Sequence, residues 1–211
     1  MIKPPTLFIL IYLSPDAFHF THSYVLMPCG GPDGEIGASM RYLSQRFSMP
    51  NRMATAVLND IATEELAHLE MVSTIVHQLT RNLSMEEIKN SGFGPYYIDH
   101  TIGIWPQAAG GIPFNACEFQ SKGDPITDLH EDLAAEQKAR STYDNILRVV
   151  RDIPEIADPI RFLRAREVVH FQRFGEALRS VQEELDAKNF YAFNPSFDMP
   201  IPHSREQKNC H

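Results

Sequence analysis

Three long segments of this chain repeat apolar residues at alternating steps of three and four. In the clearest segment the repeat consists of five apolar residues with two polar residues among them. In order they are Leu58, Ile61, Glu65, His68, Val72, Ile75 and Leu79. This spacing places one side chain per helical turn on the same face, so it predicts an amphipathic helix whose face is buried. Similar repeats start at Leu129 and Ile160, whereas the alternation typical of β-strands is nearly absent. The chain is therefore predicted to be all-α.

Prolines and glycines divide the sequence into four main helices. The first is predicted at about 34–49, the second at about 51–79 and the third at about 127–150, and the fourth follows Pro154 or Pro159. Ser84 and Glu87 predict a capping box for a short extra helix. Residues 92–125 are rich in glycine and proline and form a long crossover between helices two and three, which is typical of a ferritin-like four-helix bundle. We expect an irregular N-terminal arm (1–33), the bundle (34–187) and an irregular C-terminal tail (188–211).

Acidic residues and histidines interrupt the apolar faces of these helices. The set, in chain order, is Glu35, Glu65, His68, Glu136, Glu167 and His170. Four carboxylates and two imidazoles inside a bundle are strongly unfavourable unless their desolvation is compensated, and two divalent metal ions provide that compensation. Dinuclear carboxylate bundles have this pattern of ligands. Two of their helices each supply one Glu, and the other two each supply a Glu-x-x-His.

Several of these assignments have alternatives. A single Glu-x-x-His is usually an exposed helical pair, but two copies in register with apolar faces favour metal binding. Glu35 also suits the first turn of any helix, where an acid complements the helix dipole. Asp132 lies one step off the face of the third helix and is the weaker alternative to Glu136 as a ligand. Glu64 and Glu70 lie off the second helix's face and are predicted to be solvated.

Arg140 and Tyr42 are candidates for roles beside the metal. Arg140 lies one turn from Glu136 and is predicted either to hydrogen-bond a ligand carboxylate or to form a salt bridge at the end of the bundle. Tyr42 shares a face with Glu35 and is predicted either to hydrogen-bond the outer oxygen of Glu35 or its bridge, or to be an ordinary core tyrosine. The other histidines lack partners at metal spacing and are predicted to be structural or on the surface: His19, His22, His77, His100, His130, His203 and His211.

The composition excludes some functions. With 19 basic and 27 acidic residues the formal net charge is −8, which disfavours non-specific nucleic-acid binding. Three widely separated cysteines argue against a disulfide framework and suit a reducing, cytoplasmic compartment. The longest apolar run, residues 7–13, is far shorter than the roughly 20 residues that a membrane-spanning helix needs.

Six blocks of sequence carry a resemblance to a known family. They are GGPDGE (30–35), RYLSQR (41–46), TEELAHLEM (63–71), KGDPI (122–126), DLAAE (132–136) and REVVH (166–170). In these blocks the sequence resembles the manganese catalases, and especially the spore-coat manganese catalase-like proteins. The resemblance covers about residues 30–185 and implies a cytoplasmic or spore-coat location.

The resemblance implies a role for each residue. Glu35 and His68 would hold one manganese ion, Glu136 and His170 would hold the second, and Glu65 would bridge the two. Glu167 resembles an outer carboxylate that stays off the metal and shuttles protons, although its spacing equally suits a sixth ligand. Tyr42 resembles a tyrosine beside the site. The implied activity is the disproportionation of hydrogen peroxide to water and dioxygen.

Two rival functions stay open at this point. The ligand set suits iron nearly as well as manganese, so a di-iron oxidase or ferroxidase is the first alternative. The second is a structural spore-coat protein with vestigial activity. The resemblance also implies a homo-oligomer, with a hexamer as the candidate assembly, and other spore-coat proteins as partners, with no nucleic acid and no membrane involved.

The sequence departs from the family before its Gly-Gly pair. The resembling proteins are helical there, whereas Pro28 is expected to break any helix in this chain. The first helix would then span about 15 residues, near 22 Å, against roughly 45 Å for the second.

Overall fold

The computed structural model describes residues 28–31, 33–90 and 113–187. Five α-helices lie in this part of the chain: α1 (Glu35–Gln45), α2 (Arg52–Thr80), α3 (Met85–Asn90), α4 (Pro125–Val150) and α5 (Pro154–Ala187). The described residues contain no strand. Helices α1, α2, α4 and α5 correspond to the four predicted bundle helices, which confirms the ferritin-like fold class. Most of the predicted arm, part of the crossover (91–112) and the tail (188–211) lie outside the described residues, so these divisions stay predictions.

Side-chain caps explain where several helices begin. Asn51 accepts a hydrogen bond from the backbone N–H of Ala54 (2.9 Å) at the start of α2. Asp124 does the same for Thr127 (2.8 Å) at the start of α4, and Pro125 occupies the first turn.

The predicted capping box precedes the short helix α3. The Ser84 N–H donates to Glu87 Oε2 (2.7 Å), and the Glu87 N–H donates to Ser84 Oγ (3.3 Å). This prediction is confirmed.

Helix α1 ends earlier than predicted, at Gln45, and continues as a 3₁₀ turn, Arg46–Ser48. Helix α5 begins at Pro154, the first of the two predicted starts, and contains Pro159, since a proline near a helix start removes only one backbone hydrogen bond. Residues 28–30 are helical. The residues before Pro28 lie outside the described part of the chain, so the expectation that Pro28 breaks a helix there stays a prediction. The short α1 itself, at about 16 Å against roughly 43 Å for α2, is confirmed.

The helices pack as two pairs, α1 with α2 and α4 with α5, and α2 also lies against α5. Two apolar clusters fill the core. One cluster includes Val72, Ile146 and Leu163, and the other includes Leu58, Leu129 and Phe174. On each long helix the polar residues of the predicted set lie between these two clusters in sequence. The bundle therefore encloses a layer of charged side chains with apolar packing at both ends.

The buried face of α4 is rotated slightly from the predicted one. Asp132 and Ile146 are buried, whereas Leu133, Arg140 and Leu147 are only partly buried. No described helix is both long enough and apolar enough to span a membrane.

Candidate metal centre

The structure brings all six interrupting residues into one buried cluster. Glu35 is 3% exposed, and each of the others is 1% exposed or less: Glu65, His68, Glu136, Glu167 and His170. They come from all four bundle helices, so the cluster forms only when the whole bundle is assembled. Residues spread over the sequence thus meet because each occupies the inward face of its own helix.

Glu65 lies at the centre of the cluster, between the two histidines. Its Oε2 is 2.8 Å from His68 Nδ1, and its Oε1 is 2.6 Å from His170 Nδ1. The two imidazole rings are stacked, with centroids 5.4 Å apart and planes 18° apart. One carboxylate therefore directs a separate oxygen at each histidine, which is the arrangement of a bridging ligand between two ions.

A tyrosine holds each of the two outer carboxylates. Tyr42 donates to Glu136 Oε1 (2.5 Å), and Tyr143 donates to Glu35 Oε1. The second oxygen of each carboxylate faces a histidine. Glu35 Oε2 is 3.9 Å from His68 Nδ1, and Glu136 Oε2 is 3.5 Å from His170 Nδ1.

The two tyrosines thus differ from the sequence predictions. Tyr42 was predicted to reach Glu35 or its bridge, or to be a core tyrosine, but its hydroxyl donates to Glu136 of α4. Tyr143 was given no role, although it follows Glu136 by two helical turns on the same face, which is the signal that identifies it.

Glu167 belongs to the same cluster. Its Oε1 is 3.7 Å from His68 Nδ1, and one ligand atom from each of Glu65, His68, Glu167 and His170 lies within 4.8 Å of the others. Distance alone is therefore consistent with Glu167 either as a metal ligand or as a carboxylate beside the metal.

Burial and mutual repulsion shift the pKa values of these groups. Burial, with the charge of Glu65 second, raises the pKa of Glu35 well above its usual range. Burial and the charge of Glu136 do the same to the pKa of Glu167. Burial acts to raise the pKa of Glu65, but its contacts with His170 and His68 outweigh this and lower it to about 2.

His170 shows the complementary shift. Burial acts to lower its pKa, but contacts with Glu136 and Glu65 outweigh burial and raise it to about 10. Protons and one charged imidazole thus balance part of the negative charge of the cluster in the metal-free chain.

The cluster fits a pair of divalent cations. Several of its buried atoms have no aligned hydrogen bond, namely Glu65 Oε1, Glu136 Oε2, Glu167 Oε1 and His170 Nδ1. Buried polar atoms without partners are rare because each costs about 1–3 kcal/mol. Carboxylate oxygens and imidazole nitrogens that converge in this way are the ligands that manganese and iron prefer.

Glu64 corrects a sequence prediction. It was expected to be solvated, yet only 27% of its side chain is exposed and its carboxylate accepts two hydrogen bonds from Arg166 (2.5 and 3.1 Å). Burial acts to raise the pKa of Glu64, but the hydrogen bonds from Arg166 and His170 outweigh it and lower the pKa. Glu64 reaches this position because α2 packs directly against α5, which carries Arg166.

Arg140 lies outside the cluster. Its guanidinium donates to Gln137 (2.9 Å) and to Asp144 (2.6 Å) rather than to a carboxylate of the cluster. Of the two contacts predicted for Arg140 from the sequence, the structure has the salt bridge and not a hydrogen bond to a ligand carboxylate. A catalytic role for Arg140 stays a prediction.

Asp132, the alternative to Glu136, is also buried, but one turn away from the cluster. Burial raises its pKa well above the usual range, and the charge of Arg41 only partly opposes this. Of the histidines predicted to play no part at the metal, His77 and His130 are exposed, and the other five lie outside the described residues.

Comparison with known proteins identifies the family of this chain. The profile of the family described as manganese containing catalase matches residues 15–201. Protein CotJC of Bacillus subtilis is 45% identical over 168 residues, which cover 80% of this chain and 88% of that protein. A probable manganese catalase of Clostridium acetobutylicum is 32% identical over 176 residues, covering 82% and 78% of the two chains.

A solved structure shares the fold. The manganese catalase KatB from Anabaena superposes with a TM-score of 0.69 at 25% identity, covering 97% of this chain and 85% of that one. The family profile spans most of the sequence and both relatives match most of their own length. The chain therefore belongs to the manganese-containing catalase family.

Proposed function

We propose that this protein is a dinuclear manganese catalase that converts two hydrogen peroxide molecules into two waters and one dioxygen. The observation that carries the proposal is the position of Glu65, whose two oxygens lie 2.8 and 2.6 Å from the Nδ1 atoms of two stacked histidines. A carboxylate in this position relates two cation sites to each other, and such a pair can share the two electrons that each half of peroxide disproportionation transfers. Family membership supports manganese as the metal.

The proposed ligand set has two halves joined by Glu65. Glu35 and His68 hold one ion, and Glu136 and His170 hold the other. When bound, the metal pair supplies the site that accepts two electrons from one peroxide molecule and returns them to another.

The side chains around the ligands hold them in place. Tyr143 and Tyr42 each occupy one oxygen of a terminal carboxylate, which leaves the other oxygen of Glu35 and Glu136 directed at a histidine. The apolar clusters on both sides exclude bulk water, which strengthens electrostatic interactions inside the site. We assign proton transfer to Glu167, the one carboxylate of the cluster outside this proposed ligand set, whose buried Oε1 has no aligned hydrogen bond.

The direct test is oxygen evolution from peroxide by purified protein loaded with Mn²⁺. We expect one dioxygen for every two peroxide molecules consumed. Metal-loaded protein that evolves no oxygen would contradict the catalase proposal. Oxygen consumption on addition of ferrous ion, without peroxide disproportionation, would instead identify the di-iron oxidase alternative.

A Glu65→Ala variant separates a catalytic site from a structural one. If the variant keeps its fold and loses metal and activity, the cluster serves chemistry. If the bundle unfolds, the metal has a structural role, as expected of a coat protein without turnover. Because the motif blocks resemble spore-coat proteins, we also propose that the chain assembles as a homo-oligomer in the spore coat.

A further inference from the structure

Beyond the cluster itself, one carboxylate contacts the outer side of both histidines. Glu64 Oε2 lies 3.2 Å from His170 Nε2, and Glu64 Oε1 lies 3.7 Å from His68 Nε2. The nearest approach of Glu64 to each histidine is at Nε2, whereas the carboxylates of the cluster come nearest to these rings at Nδ1. Both Nε2 atoms are buried, and neither has an aligned hydrogen bond to any described group, Glu64 included.

The chemistry of imidazole explains why this position matters. A histidine that binds metal through Nδ1 carries its proton on Nε2, so Nε2 becomes a donor. A buried donor without an acceptor is costly, and a carboxylate acceptor fixes the ring and makes the ligand more basic. Glu64 lies where a single acceptor can serve both rings, because the rings are stacked and their Nε2 atoms face the same side.

Arg166 fixes the orientation of Glu64. Its Nε donates to Glu64 Oε1 (2.5 Å) and its second terminal nitrogen donates to Oε2 (3.1 Å), so the two side chains form a bidentate pair between α5 and α2. Glu64 is 27% exposed, and without Arg166 it is free to turn toward solvent. The pair thus holds one carboxylate oxygen toward each histidine.

We propose that Glu64, held by Arg166, is a positioning residue shared by both histidine ligands, so that one side chain outside the metal cluster sets the affinity of both metal sites together. The inference rests on the proposed dinuclear site. In this proposal Glu64 neither binds the metal directly nor contacts peroxide.

The test measures Mn²⁺ binding by metal-free wild type, Glu64→Gln, Arg166→Met and Asp60→Asn. Glu64→Gln keeps the size of the side chain and removes its charge. We expect it to lower the affinity for each of the two Mn²⁺ ions by about 10–100-fold. Arg166→Met is expected to lower the affinity for both Mn²⁺ ions by a smaller factor. Asp60 is the matched control, because it lies one turn before Glu64 on α2 and pairs with Arg173 of α5 (2.6 Å) without contacting a histidine.

Asp60→Asn is expected to leave both affinities within about twofold of wild type, since it removes only an exposed ion pair between the same two helices. Electron paramagnetic resonance of the fully loaded proteins gives a second measurement. The spectrum of the manganese pair should change in Glu64→Gln and not in Asp60→Asn.

Three results would overturn the inference. They are unchanged affinity in Glu64→Gln, weakening of only one of the two equivalents, and equal weakening in Asp60→Asn. If Glu64→Gln fails to fold, Arg166→Met takes its place, and the same three results in that variant would overturn the inference. Wild type that binds no metal would contradict the proposed function itself, which separates that failure from a failure of the positioning role.

Discussion

Tyr143 and Tyr42 show how single hydroxyl groups determine which carboxylate oxygens remain for metal. Each tyrosine is fully buried and donates to Oε1 of one outer glutamate. Without these donors, Glu35 Oε1 and Glu136 Oε1 would each be buried without a hydrogen-bond donor, and the two side chains would be free to rotate. The tyrosines therefore contribute both to stability and to the orientation of the ligands.

A Tyr143→Phe variant tests this contribution. It removes the donor to Glu35 and keeps the ring, so we expect the free energy of unfolding of the metal-free protein to fall by about 1–3 kcal/mol and Mn²⁺ affinity to fall as well. Urea unfolding and metal titration measure the two effects. Ile146→Val, one turn further along α4, is the control, because it should lower stability by roughly 0.5–1.5 kcal/mol without changing metal affinity. Equal metal affinity in Tyr143→Phe and wild type would contradict the assigned role.

The raised pKa of His170 predicts how the metal-free protein responds to pH. Its folded-state pKa of about 10 lies above the ordinary value of 6.5, so the folded chain binds a proton that the unfolded chain has lost between these pH values. The stability that this proton contributes is complete below about pH 6.5 and disappears as pH rises toward 10. The urea midpoint of metal-free wild type should therefore fall over this range. In His170→Gln this contribution should be absent, so the urea midpoint should fall less steeply with pH than in wild type. The same fall in both proteins would contradict the role of His170.

Some residue-level details were not predictable from sequence. Five of the six site candidates were found because each interrupts an apolar repeat, which needs only helical spacing, and Glu35 was found at the start of the first helix. The partners of Tyr42, Tyr143 and Glu64 depend on how two helices are rotated about their axes, and a repeat of three and four does not fix that rotation. Glu64 in particular is one position off the face and reaches the histidines only because Arg166 lies opposite.

At the scale of elements, the turn before α1 positions Glu35. Gly34 precedes the helix, and its N–H donates to the carbonyl of Gly31 (2.9 Å). A Cβ on Gly34 would lie 2.8 Å from the carbonyl oxygen of Pro28 and 2.9 Å from the backbone nitrogen of Gly31. The chain thus approaches itself too closely for any other residue, and Glu35 is fixed where this turn ends.

Replacing Gly34 by alanine should disturb this turn. The clash is with backbone atoms, which yield less readily than a flexible side chain, so we expect Gly34→Ala to lower the free energy of unfolding by about 1–3 kcal/mol and to weaken metal binding. Gly175→Ala is the matched control, since nothing lies within 4 Å of a Cβ there and alanine favours the helix by about 0.5–1 kcal/mol. Urea unfolding distinguishes the two. Stabilisation by Gly34→Ala would show that the close approach does not constrain the turn.

Helix existence was easier to predict than helix limits. The long periodic segments and the caps at Ser84 and Asp124 are local signals, and the structure follows them. Pro159 lies in helical backbone, because the cost of one missing hydrogen bond is smaller than the gain from packing the surrounding residues in the core. Such a balance depends on tertiary contacts and is not visible in the sequence alone.

At the scale of the whole molecule, the buried acids couple metal binding to folding. The cluster takes residues from all four bundle helices, so a metal pair that binds them stabilises the folded state over the unfolded one. Two divalent cations would also halve the formal net charge of −8. We therefore expect that the excess of acidic residues serves in part as counter-charge for buried metal.

Metal removal should accordingly destabilise the bundle. At a free Mn²⁺ concentration one hundred times the dissociation constant of a site, binding to that site stabilises the folded state by about 2.7 kcal/mol. A chelator should lower the thermal midpoint, and added Mn²⁺ should restore it. Glu65→Gln should show little change with either treatment, and an equal chelator effect in that variant would place the stabilising metal elsewhere.

The central claim is that one chain holds a pair of metal ions between its four helices, and the most direct test is a metal count. Purified protein loaded with Mn²⁺ and freed of excess metal is analysed by plasma emission spectrometry beside Glu65→Gln. We expect about two manganese ions per wild-type chain and fewer than one in the variant. Fewer than one ion per wild-type chain, or two ions retained without Glu65, would contradict it.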